Sequence, residues 1–166
     1  MAVTVKSGRW HDPTVWDTGA VPGIGDSALI QHLIVADEDV VVGDGSETAL
    51  TLMKPLVCLG SLSVIGKIKG EGDECGLVFI NEGRWVLYAS GGIEIPPISQ
   101  EALRALWDTE FGTELPQGLI IPIGGNITSE FYLSPNYHDL ITPLLPQIKD
   151  LSGVLAATHD PTNPEN

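Results

Sequence analysis

The chain has 166 residues, of which 43 % are hydrophobic, enough for one domain of ordinary size with a real core and against wholesale disorder. Eight basic residues face 22 acidic ones, a net charge of −14, which argues against nucleic acid and against an anionic membrane surface as partners. The balance permits a basic protein partner, a cation, or simply a self-repelling surface.

The start, MAVTVKSGRW, has no apolar leader segment, and no apolar run is long enough to span a bilayer. The expectation is a chain made in a cytoplasm and not exported, or an extracellular one from which a signal peptide was removed. Residues 1–26 form an opening unit, SGRWHDPTVWDTGAVPGIGD in its main part. Trp10 and Trp16 supply large apolar area, while Asp12-Pro13 and Val21-Pro22-Gly23 supply turns. A stacked β core would otherwise meet water at its end, so this unit reads as a cap that does not itself propagate the stack.

Residues 27–97 contain short apolar, β-branched runs: SALIQHLIV, VVV, ALTL, LVCL, SLSVI, KIK, GLVFI, RWVLY and IEI. Ten of the 19 glycines lie from Gly43 to Gly92, mostly at the breaks between runs. Strands this short, with single-glycine corners, fit the coils of a solenoid better than a sandwich, whose strands are longer and joined by hairpin signals. VCLGSLSVIG (57–66) is echoed by VFINEGRWVLYA (78–89), about 20 residues on, within the range of β-solenoid coils. Three to four coils are expected. Cys58 and Cys75 sit in apolar runs and read as buried free thiols, with a disulfide as the alternative.

Residues 98–134 carry a predicted helix in SQEALRALWDTEFG, capped by Ser99, with Glu101 in its first turn and Gly112 at its end. Leu103, Leu106, Trp107 and Phe111 share one face of it. LIIPI and SEFYL then read as strands. Residues 135–166 form an arm and tail: ITPLLPQI is too apolar for a free tail and too proline-broken for a long helix, so it folds back or docks on a neighbour. Trp107, Phe111, Phe131, Tyr132 and Tyr137 form either a small satellite core or, with Leu144 and Leu145, a partner interface.

The pattern W-x-D-P-x-x-W followed by VPG-x-GD resembles the N-terminal part of short right-handed parallel β-helices. Such domains occur in extracellular proteins of the eight-glycine domain family and in bacteriophage virion proteins. The residues that carry the resemblance are Trp10, Asp12, Pro13, Trp16, Val21, Pro22, Gly23, Gly25 and Asp26, and it extends over residues 7–95. It implies a mainly β fold, a right-handed parallel β-helix with an N-terminal cap, and a structural role in a virion.

Chemistry is sparse. His11, His32, His138 and His159 are scattered; three precede an aspartate, but none has a partner spaced to complete a metal-dependent hydrolase set. No nucleophile elbow, phosphate loop or zincin motif occurs, and no catalytic, cofactor or metal residue is assigned. Asp37 and Asp39 would share a face of an extended strand, so a bound cation such as calcium is conceivable there, against a solvated loop between coils. A polysaccharide-cleaving enzyme is disfavoured by the short groove, and the Asn126-Ile127-Thr128 sequon reads as a chance match. The expectation is a non-enzymatic virion protein, a capsid cement or decoration protein that binds the major capsid protein or other virion subunits, with a trimer as the favoured oligomer. Alternatives are a tail or baseplate component and a carbohydrate-binding extracellular module, which would use exposed aromatics such as Trp85 and Tyr88.

Overall fold

The computed structural model describes residues 1–80, 85–115 and 120–134. Strands β1 (Ala2–Val3) and β2 (Gly8–Arg9) open the chain, and a 3-10 turn spans Pro13–Val15. Three coils of three strands each come next: β3 (Ala28–Ile30), β4 (Ile34–Ala36) and β5 (Val40–Val42); β6 (Leu50–Leu52), β7 (Pro55–Cys58) and β8 (Leu62–Val64); β9 (Ile68–Gly70), β10 (Gly76–Ile80) and β11 (Leu87–Ala89). After β12 (Ile93–Ile95), helix α1 (Gln100–Phe111) intervenes before β13 (Ile120–Ile123), β14 (Gly125–Ile127) and β15 (Phe131–Leu133).

These strands stack into three sheets, β1-β3-β6-β9-β12-β14, β2-β4-β7-β10-β13 and β5-β8-β11-β15, which makes the molecule a mainly β solenoid of about 4 turns. All pairings from β1 to β12 are parallel. Ala28 faces Leu50, Ile34 faces Leu56 and Val40 faces Leu62, each pair 22 positions apart. The echo in the sequence is this stacking: Val57 lies beside Val78, and Leu62 beside Leu87. A three-residue strand with its outer residues turned inward buries two side chains per face per coil, as in Ile34–Ala36 and Leu62–Val64. Both thiols are free and buried; burial pushes Cys58 far up from its ordinary pKa and raises Cys75 as well.

Two expectations need correction. SALIQHLIV is not one strand: β3 and β4 are separated by a corner at Gln31–Leu33. Ile30 and Ile34 both belong to the central core, and the chain must bend between them for that to hold. Thr4 Oγ1 accepts from the Gln31 amide (2.9 Å) and meets His32 Nδ1 at 2.9 Å, fixing the bend. The opening unit also does propagate the stack. β1 pairs in parallel with β3 and β2 with β4, so residues 1–26 are a first, thinner coil as well as a cap.

The far end closes differently. β13, β14 and β15 add to β10, β12 and β11, all antiparallel, so the chain visits the three sheets against the direction of the preceding coils. Pro122 lies in β13, opposite Val78, and its missing N–H suits a strand that is the edge of its sheet among the described residues.

Helix α1 forms as expected. Ser99 Oγ accepts from the Ala102 amide (3.1 Å), Glu101 lies in the first turn, and Gly112 ends it at φ 66° with its N–H on Asp108 O. Its apolar face lies on the outside of the second sheet: Leu103 and Trp107 cluster with Leu33, Val57, Val78 and Ile80, all facing away from the central core. The second sheet is thereby buried on both faces, which explains why β7 and β10 are continuous apolar runs without alternation. Among the described residues no helix is long and apolar enough to cross a membrane.

Candidate cation site and outer faces

Trp10 and Trp16 are buried edge to face, with ring centroids 4.8 Å apart, and Trp16 Nε1 donates to Trp10 O at 2.8 Å. Asp12 Oδ1 caps the 3-10 turn by accepting from the Thr14 amide and hydroxyl, and the hydroxyl bond holds its carboxyl below the ordinary range. Asp26 Oδ2 accepts from the Gly23 amide at 2.9 Å and, beside the buried Pro22, closes the second turn. The opening unit is thus held by local contacts, the two tryptophans on each other and each turn by its own carboxylate.

This unit brings two distant stretches together. Gly8 faces Ile34 and Arg9 faces Val35, and Trp10 N donates to Val35 O. The next residues in the same register are His11 and Asp37, just beyond the ends of β2 and β4. With Trp10 and Ala36 turned into the core, Arg9, His11 and Asp37 point outward together. Arg9 Nε lies 3.6 Å from Asp37 Oδ2, and His11 Nδ1 lies 4.0 Å from Asp37 Oδ1. His11, Asp37 and Glu38 each offer a ligand atom, and all three lie within 4.8 Å of one another. Asp39 is not part of this group; its Oδ1 accepts from the Ser61 amide at 2.9 Å, tying one coil to the next. The expected pairing of Asp37 with Asp39 on one face therefore gives way to Asp37 with His11. The chain turns the corner at Glu38 instead of continuing as a strand.

The other acidic clusters are engaged in turns or ion pairs. Asp44 Oδ1 accepts from the Ser46 amide and hydroxyl, the hydroxyl bond holding its carboxyl down. Glu74 pairs with Lys54 beside a shallow groove that also includes Gln31, Met53 and Asp73. Lys67 bridges to Glu94 at 2.9 Å, and that hydrogen bond lowers the Glu94 pKa.

The residues named as a partner interface divide. Trp107 and Phe111 pack edge to face at 4.8 Å in the cluster beneath α1. Phe131 is buried in the solenoid core, and Tyr132 packs against that core from the outer side of the third sheet. Tyr137, Leu144 and Leu145 lie outside the described residues. Of the candidate sugar-binding aromatics, Trp85 is buried and stacked on Phe79 at 4.2 Å, which removes it from the surface. Tyr88 faces Tyr132 directly across the β11–β15 pair, in line with Ser63 and the exposed Val41. Its hydroxyl donates to Glu130 at 2.6 Å, which raises the phenol pKa.

No family profile, curated protein or solved structure matches the chain.

Proposed function

We propose that this protein is a non-enzymatic assembly component of a bacteriophage virion, a capsid cement or decoration protein that binds neighbouring subunits through its C-terminal arm. The observation that carries the assembly reading is the closure of the solenoid before residue 135. Each of the three sheets has received its antiparallel closing strand by Leu133, and the core inside them is continuous from Trp10 to Leu133. The apolar stretch ITPLLPQI, with Leu144 and Leu145, follows the last closing strand in the sequence, and we assign it the contact with a neighbour. A rigid body joined to many copies through modest arms gains avidity from their number. The virion setting rests on the resemblance carried by Trp10, Asp12, Trp16, Pro22, Gly23 and Asp26, the residues that build the cap. A tail or baseplate position uses the same device. With a charge of −14, the docking surface on the partner, such as a major capsid protein, is basic.

A second reading, a carbohydrate-binding module, is favoured by one observation, the Tyr88–Tyr132 pair on the outer face of the third sheet. Light scattering on the full chain and on a chain ending at Ser134, with co-sedimentation of each on undecorated capsid shells, separates the two. The assembly reading expects shell binding, and any oligomer such as a trimer, to be lost on truncation while the thermal midpoint holds. Equal behaviour of the two chains, together with glycan binding abolished by Tyr88→Ala, would replace it with the sugar module.

A further inference from the structure

We infer that the outer face of the third sheet, at Val41, Ser63, Tyr88 and Tyr132, is the dock for the C-terminal arm of an adjoining copy of this chain, which seats its P-x-x-P stretch, Pro143-Leu144-Leu145-Pro146, across the strands. The choice of occupant rests on the assembly reading proposed above and names the neighbour that the arm grips. Among the described residues, this is the one sheet face that is neither covered by another element nor charged along its outward row. Helix α1 covers the second sheet, and the outward row of the first carries Lys69 and Glu94. The third sheet turns one side chain per strand outward, aliphatic, hydroxyl or aromatic, and Val41 is 44 % exposed. On a chain of net charge −14, a face with no charge in its row is where two copies approach against the least repulsion.

The arm suits this face in chemistry and in reach. Residues 141–148 carry no charged side chain. Proline-punctuated segments dock on aromatic surfaces as polyproline II, which has three residues per turn, so Pro143 and Pro146 fall on one side, about 9 Å apart. Tyr88 on β11 and Val41 on β5 stand two strands apart, about 9–10 Å. Ser63, the smallest side chain of the row, leaves a trough between them. The two spacings agree when the arm lies across the strands. Glu130 holds the Tyr88 hydroxyl and fixes that end of the seat. Residues 135–166 follow directly on β15, which is the edge of this same sheet among the described residues. Six residues separate Ser134 from Ile141, a reach of about 20 Å when extended. The four strands together are about 14 Å across, so an arm leaving this edge passes to a copy set beside it. Each copy then gives one arm and receives one, a heterologous contact that closes as a ring such as a trimer.

The test uses the full chain, whose own Cys58 and Cys75 are buried and do not compete as thiols. Copies carrying Ser63→Cys are mixed with mass-tagged copies carrying Leu145→Cys and oxidised. A disulfide between the two kinds of copy is expected, and Pro143→Ala/Pro146→Ala in the arm is expected to abolish it. By light scattering, Val41→Lys and Tyr88→Ala are each expected to weaken association at least about tenfold, and an excess of a peptide of residues 139–150 to dissociate the oligomer. Asn126→Lys, on the outward row of the first sheet, is expected to leave association unchanged. Val41→Lys alters an exposed side chain, so its result stands even if another variant folds poorly. The inference is overturned if no disulfide joins different copies, or if both cysteines placed in one chain close within that chain at dilution, which would put the arm on its own body. It is also overturned if association survives Val41→Lys and Tyr88→Ala while glycan binding is lost. Shell binding that needs residues 135–166 without any cross-copy disulfide would overturn it and leave the assembly reading standing, whereas shell binding that survives truncation at Ser134 counts against that reading whatever the disulfide shows.

Discussion

Gly43 shows how tightly consecutive coils meet. Its φ is +129°, a conformation that side chains rarely adopt, and a Cβ there would lie 2.2 Å from Ile65 O in the next coil. Its carbonyl also accepts from the Gly25 amide at 2.8 Å, so the same residue receives the cap on one side and the following coil on the other. Gly45, two residues on, has φ +85° but nothing within 4 Å of its Cβ position. The two separate backbone strain from steric overlap. Gly45→Ala is expected to cost about 1–2 kcal/mol, the penalty of the left-handed backbone alone. Gly43→Ala carries a similar strain plus displacement of Ile65, and is expected to cost at least about 3 kcal/mol. Urea unfolding of both variants reads the difference, and equal costs would mean that the coils do not meet closely at this corner.

At the scale of elements, α1 is the outer wall of the second sheet, and Trp107 is the bulkier of its two buried side chains. The side chain is 6 % exposed and its Nε1 lies 3.3 Å from Thr113 Oγ1. Trp107→Ala removes that contact and uncovers Val57, Val78 and Ile80. The expected loss is about 3–5 kcal/mol in chemical unfolding, with dye-detected apolar exposure before the central core melts. A loss below about 1 kcal/mol would mean that the helix is not anchored on the sheet through this residue. The helix was legible in the sequence because every signal for it is local: Ser99, Gly112 and the spacing of Leu103, Leu106, Trp107 and Phe111. Most strands were legible too, from β-branched runs between glycines. What was hidden depends on register between coils. Gly8 and Ile34 are 26 positions apart, Ala28 and Leu50 are 22, and Leu50 and Ile68 are 18, because the corners differ in length. No single period therefore aligns the chain. The neighbour of Asp37 is found only by laying WHD (10–12) beside ADE (36–38), a match too short to stand out. β14, Gly-Asn-Ile, has no strand signature of its own and exists because β12 offers it an edge.

For the whole molecule, the excess of acid decides how stability responds to salt. The described residues hold Arg9–Asp37, Lys54–Glu74, Lys67–Glu94 and Lys69–Glu71, ion pairs that salt weakens. All four have at least one substantially exposed partner, and such pairs are worth about 0–1 kcal/mol each. Against them stands a net charge of −14 on a chain of 17.7 kDa, whose mutual repulsion salt also screens. Repulsion acts over many pairs at longer range, so it gains more from a Debye length that shortens to about 10 Å at 0.1 M. The unfolding midpoint is therefore expected to rise by a few degrees as sodium chloride increases from about 0.01 M to 0.1 M, read by calorimetry in EDTA at constant molecular mass. Docking on a basic surface has the opposite dependence, because salt screens that attraction. A chain that grows more stable in salt while releasing its partner is one whose charge serves the contact and not the fold. A midpoint that falls over the same range would instead assign the acidic side chains a role in holding the coils together.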